Sequence, residues 1–242
     1  MPSDERVLIP IDPSEELPEV VIRHGDAARI YTYKGFRYSL ESTNSLVDLI
    51  KHRGSKGNTI VLYTDTEIKV ILNDAVVDRE QDTASYLYQE SQELHEWRGI
   101  LGRPQVQKDL VDYLKLLPNG QIATEYVDNL IGAIQTLKLA TEIVGEYSYA
   151  DNNNIGVMFK TKDGEAQTYI PKQIEVAIPL LNEGDTFTVE IEIELRKPTS
   201  EKERPLLVLT CPKLVRYLKE ATEREVAKLK KALAGYIVLA GS

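Results

Sequence analysis

The chain has 242 residues, a formal net charge of -9 and a single cysteine, Cys211. That length suits one large domain or two small ones around a buried core. The lone cysteine excludes an internal disulfide and a multi-thiolate metal centre within one chain, and the negative balance argues against indiscriminate affinity for phosphate backbones, which needs many Lys and Arg.

The opening MPSDERVLIPIDPSEELPE is acidic and proline-rich, where a secretory signal is basic and then apolar. No run approaches the ~20 apolar residues of a membrane span. The sequence therefore predicts a cytoplasmic chain without membrane contact, led by an irregular arm over residues 1–27. Residues 28–40 (ARIYTYKGFRYSL) alternate about Lys34-Gly35 and predict a hairpin, with Gly35 supplying a positive φ. Ser42 or Thr43 can cap a short helix carrying Leu46, Val47, Leu49 and Ile50, which Gly54 and Gly57 punctuate. Residues 59–72 are rich in β-branched side chains broken by Thr64, Asp65 and Thr66, the pattern of a second hairpin.

The period then changes. Leu87, Leu94 and Trp97 share a helical face with Ser91, predicting a helix from Ala84 to Trp97. A second helix carries Leu110, Val111, Leu114 and Leu117 and stops at Pro118-Asn119-Gly120. A third runs from Glu125 to about Leu139. Up to Arg196 the alternation predicts antiparallel strands near 141–149, 155–161, 166–170, 173–181 and 186–195, with turns at Asp163-Gly164 and Asn182–Asp185. In TFTVEIEIEL, Phe187, Val189, Ile191, Ile193 and Leu195 face one way and Thr188, Glu190, Glu192 and Glu194 the other. A strand LLVLT leads to Pro212 and a long helix reaching about Ala234, with Leu214, Leu218, Ala221, Leu229 and Leu233 on one side and Glu220 paired with Arg224. The predicted class is α+β: antiparallel sheet, a central group of three helices and a long C-terminal helix. The predicted segments are the arm, a mixed α+β domain over 28–211 and a basic amphipathic helix over 212–242.

Charge is unevenly distributed. From Arg196 onward there are 11 basic and 5 acidic residues, against 18 basic and 33 acidic before it. A basic tail on an acidic body either docks on that body, on a neighbouring copy, or on nucleic acid, and each of these contacts is sensitive to salt.

Two blocks, HEWRGILGRPQVQKDLVDYLK and IPKQIEVAIPLLNEGDTFTVEIEIELR, resemble the YfdQ-like family, a domain of unknown function found in bacteriophages and prophages. The resemblance covers residues 40–215 in scattered blocks and places Trp97, Gln107, Leu110, Val111, Leu114, Pro171 and Pro179 on family-like positions. It implies a phage context and a host-cell cytoplasmic setting, and carries no chemical signature.

No catalytic motif is visible. Gly54-Ser55-Lys56-Gly57-Asn58-Thr59 superficially evokes a phosphate loop, but a helix precedes it and a strand follows, the reverse of the order that aims helix amides at phosphate. His24, His52 and His95 are far apart and lack metal-ligand spacing, although His24, Asp26 and His95 remain a conceivable assembled site. Cys211 reads as a small core residue, and Glu90, Glu93 and Glu96 as a solvated helix face. The sequence thus predicts a protein without cofactor or metal, acting by binding as a homo-oligomer rather than as an enzyme. One alternative is nucleic-acid binding in phage replication or recombination; another is capture of a small nucleotide in counter-defence. The candidate contact residues are Tyr31, Tyr33 and Arg37 on the aromatic hairpin, Trp97 with Arg103, and Arg216, Lys219, Lys228, Lys230 and Lys231 on the last helix, since aromatic faces stack bases and Lys and Arg meet phosphates.

Overall fold

The computed structural model describes residues 34–74, 80–118, 120–137, 142–143, 149–150, 154–161, 163–196 and 206–241. They form an α+β fold of three sheets and five helices among the described residues. The predicted N-terminal arm, Tyr31, Tyr33 and His24 lie outside them.

The first sheet contains β1 (Arg37–Leu40), β2 (Ile60–Tyr63), β3 (Glu67–Ile71), β4 (Thr83–Leu87) and β13 (Ile237–Ala240), in the order β1-β4-β3-β2-β13. Its inner pairs are antiparallel, β2 with β3 and β3 with β4, while each outer strand is parallel to its neighbour. The parallel pairs bring together segments far apart in the chain, a relation that local periodicity does not carry. One face is covered by α1 (Thr43–Arg53) and the end of α5 (Leu214–Ala232), which bury Leu46, Val47, Ile50, Leu229 and Leu233 against Val61, Ile68, Val70, Ala84 and Tyr86. Ser42 caps α1, its hydroxyl accepting from the Ser45 N–H at 3.2 Å. Gly35 does not take the predicted positive φ; it serves a close approach instead, since a Cβ there would stand 2.3 Å from the Gln81 carbonyl oxygen. Of the predicted aromatic hairpin, the described half is β1, which pairs with β4.

The second core lies between two antiparallel sheets and three helices. One sheet orders β10 (Gln173–Pro179), β11 (Thr186–Arg196), β12 (Leu206–Thr210) and β5 (Pro104–Gln105). The other sets β8 (Asn154–Thr161) against β9 (Gly164–Pro171), with β6 (Glu142–Ile143) and β7 (Tyr149–Ala150) also pairing β8. The predicted alternation of β11 holds: Phe187, Val189 and Ile191 stand opposite Ile178, Val176 and Ile174, and all six are buried. Helices α2 (Gln92–Ile100), α3 (Gln107–Leu116) and α4 (Thr124–Leu137) bury Leu94, Trp97, Leu110, Leu114, Leu130 and Ile134 into the same core.

The helix predicted from Ala84 begins instead at Gln92. Thr83–Leu87 is a strand filling the place between β1 and β3, and Leu87, assigned to the buried face, is 57% exposed. Ser91 sets the boundary, because its hydroxyl accepts from the Leu94 N–H at 3.0 Å and donates to the Pro179 carbonyl. The predicted Glu220–Arg224 pair is also replaced: Glu220 pairs with Arg216 at 2.9 Å, and Arg224 stacks 4.1 Å over the Phe187 ring.

Helix α5 joins the two cores. Its first half packs Leu214, Tyr217, Leu218 and Ala221 into the larger core, and its last turns pack Leu229 and Leu233 into the smaller. Tyr88 touches both cores from the loop after β4. Among the described residues, the buried hydroxyls of Tyr88 and Tyr113 have no hydrogen-bond partner, and burial pushes both phenols well above their ordinary range. Removing an unsatisfied hydroxyl removes its desolvation cost. Tyr113→Phe is accordingly expected to leave the unfolding free energy level or raise it by about 1 kcal/mol, read by urea denaturation. A loss of more than about 1 kcal/mol would show that the hydroxyl has a stabilising partner.

Candidate assembly surface

The face of the first sheet turned away from α1 and α5 follows from strand register. Because side chains alternate and paired residues share a face, one row across it reads Ile237, Ile60, Ile71, Thr83, Arg37 and the next reads Leu239, Leu62, Lys69, Ser85, Ser39. The face is therefore divided. At the β13 end it is Ile60, Leu62, Ile71, Ile237 and Leu239; at the β1 end it is mainly hydroxyls and charged groups, with Lys69 ion-paired to Glu67 at 2.6 Å and one exposed apolar side chain, Leu87, opposite Glu67. None of the five apolar residues belongs to either core. Ile237 is 41% and Leu239 51% exposed.

The edge beside this half-face is equally bare. β13 ends the strand order, so among the described residues its outer backbone groups have no strand partner. Exposed edges generally carry charge, proline or a cover that deters pairing. Here β1 has Arg37, β5 has Pro104, β9 has Glu165 and Pro171, and β10 has Glu175 and Pro179; β13 has only Ile, Val, Leu and Ala. An unprotected edge and an exposed apolar half-face meet at the same strand.

The side chains singled out from the sequence do not converge on one site. Arg37 is exposed at the polar end of the open face. Trp97 is a core anchor, 1% exposed, donating to Gln121 Oε1 at 3.4 Å and meeting Tyr113 edge-on at 5.3 Å. Arg103 is exposed in the turn after α2. On α5, Lys228 bonds Asp185 and Glu225, each at 2.7 Å, and Lys230 lies 4.5 Å from the Tyr63 ring centre, donating to its hydroxyl at 2.8 Å. Arg216 is held by Glu220, while Lys219 and Lys231 are exposed. From Arg216 to Lys231 is roughly 22 Å of helix at 1.5 Å per residue.

Lys213, just ahead of α5, binds Glu190 on β11, so part of the basic tail docks on the acidic body within one chain. The hydrogen bond and charge of Lys213 hold the Glu190 carboxyl below its ordinary range, and Glu190 raises the Lys213 ammonium. The sign follows from linkage: the support that Glu190 gives is present above the ordinary carboxylate range and is lost as pH falls through its lowered value. Glu225, also on α5, is buried, and with Glu183 it adds to the burial that raises the Tyr86 phenol.

His52 and His95 are both exposed. Burial raises the Cys211 thiol, which disfavours the nucleophilic thiolate. Among the described residues there is no group of three metal-ligating side chains, and no helix is long and apolar enough to cross a membrane.

This surface depends on β13, which lies within the segment predicted as helix over 212–242. The signal was present in Tyr236-Ile237-Val238-Leu239-Ala240 between Gly235 and Gly241, a β-prone run bounded by glycines. No family model, curated protein or solved structure matches the chain.

Proposed function

We propose that the protein is a non-catalytic accessory protein of phage or prophage type that assembles with copies of itself and acts by binding in the host cytoplasm. The phage context rests on the resemblance of the two sequence blocks. Self-assembly rests on one observation: the apolar half-face of Ile60, Leu62, Ile71, Ile237 and Leu239 at an unprotected edge strand. A symmetric pair of copies joined there satisfies the edge backbone and removes exposed apolar surface together, since a two-fold contact uses the same patch on both partners.

Of the three roles open to the basic tail, the intrachain contacts support docking on its own body. Lys213, Lys228 and Lys230 bind groups of their own chain, which fixes α5 in place and leaves assembly to apolar contact. Association is therefore expected to survive raised salt, which screens exposed ion pairs but not apolar burial. Light scattering coupled to gel filtration at low and high salt is the test; dissociation at high salt would return the assembly role to the charged surfaces.

A further inference from the structure

Helices α3 and α4 diverge around a cleft of about 180 Å³. Its floor is Val111 and Ile134 with the buried amide of Gln107, and its rim is the exposed Lys108, Asp112 and Lys115 from α3 with Gln135 from α4. The cleft has room for several waters, the scale of a small polar molecule. The three charged residues follow one stripe of α3, with Asp112 about 6 Å beyond Lys108 and Lys115 about 4.5 Å further along the axis. Among the described residues none of them joins an ion pair, although the spacings i,i+4 and i,i+3 would allow it.

The rim thus presents positive, negative and positive charge in order beside a floor of Val111, Ile134 and the Gln107 side chain. A simple dianion meets repulsion from Asp112, and a cation meets two lysines. The complementary ligand carries carboxylate, ammonium and carboxylate on a short aliphatic stem, with a hydrogen-bond partner in the Gln135 amide. We propose that the cleft between α3 and α4 binds an acidic α-amino acid of the glutamate type. This site is separate from the assembly surface, which lies on the first sheet.

Saturation-transfer NMR titrations test it with L-glutamate, with glutarate, which lacks the ammonium, and with 4-aminobutyrate, which lacks one carboxylate. Glutamate is expected to bind saturably with a dissociation constant on the order of millimolar. Each analogue should bind more weakly by up to about fivefold, the scale of one exposed charge contact. Asp112→Asn should bring glutamate and glutarate level, and Lys115→Gln should weaken both; thermal melting of these surface variants verifies that they fold. No saturable signal for glutamate, equal binding of glutarate to the unaltered protein, or indifference to both substitutions overturns the proposal.

Discussion

Trp97→Ala is expected to lower the unfolding free energy by about 3–5 kcal/mol, the range for truncating a buried aromatic side chain. The indole is 1% exposed and lies in the larger core, edge-on to Tyr113 at 5.3 Å. Truncation opens a void that Leu94, Leu110 and Leu114, anchored on two helices, fill only in part. It also takes the indole donor from Gln121, whose side chain is itself buried, and an orphaned buried acceptor adds its own desolvation cost. Against a typical total of about 5–15 kcal/mol, such a loss leaves the variant marginal or unfolded. Urea denaturation followed by far-ultraviolet circular dichroism reads the change. A loss below about 1 kcal/mol would mean that the site collapses freely or that Trp97 is not packed as described.

The second large effect is on association. Leu239→Glu is expected to give a folded monomer. In one copy Leu239 is 51% exposed on the open face, and a surface substitution of that kind changes stability by about 0.5 kcal/mol or less. In an assembly that buries this row, the new carboxylate is desolvated beside Leu62 and Ile237, and the two-fold brings a second carboxylate close by. The expected rise in dissociation constant is at least about a hundredfold, equivalent to roughly 2.8 kcal/mol. An unchanged mass distribution for a well-folded Leu239→Glu protein would remove the half-face from the interface. Ser39→Glu, on the same face at its polar end, is the matched control and is expected to leave the mass as it was.

Much of the fold is legible in the sequence where a local pattern fixes the element. Ser42 ahead of Leu46, Val47 and Ile50 marks α1, and strict alternation marks β11, whose predicted face is the buried one. The start of α2 is not legible locally, because Leu87 fits a helical stripe and a strand end equally well; what decides is the place for β4 between β1 and β3, a long-range relation. The role of Gly35 is equally long-range, since only the folded chain brings the Gln81 carbonyl against it. The candidate surface was harder still. Ile60, Leu62 and Ile71 read as core residues in a β-rich run, and only the cross-strand register separates them from Val61, Ile68 and Val70 and aligns them with Ile237 and Leu239 from the other end of the chain. The basic residues of α5 were legible as a charged helix, but their engagement with Asp185, Glu225 and Tyr63 depends on where α5 docks.

The most direct test of the central claim is the solution mass of the intact chain, by native mass spectrometry and light scattering, across protein concentration and salt. A closed oligomer that persists at high salt, and that Leu239→Glu reduces to a monomer, is the predicted result. A monomer at every concentration and salt would contradict self-assembly and leave the open face of the first sheet without the role assigned to it.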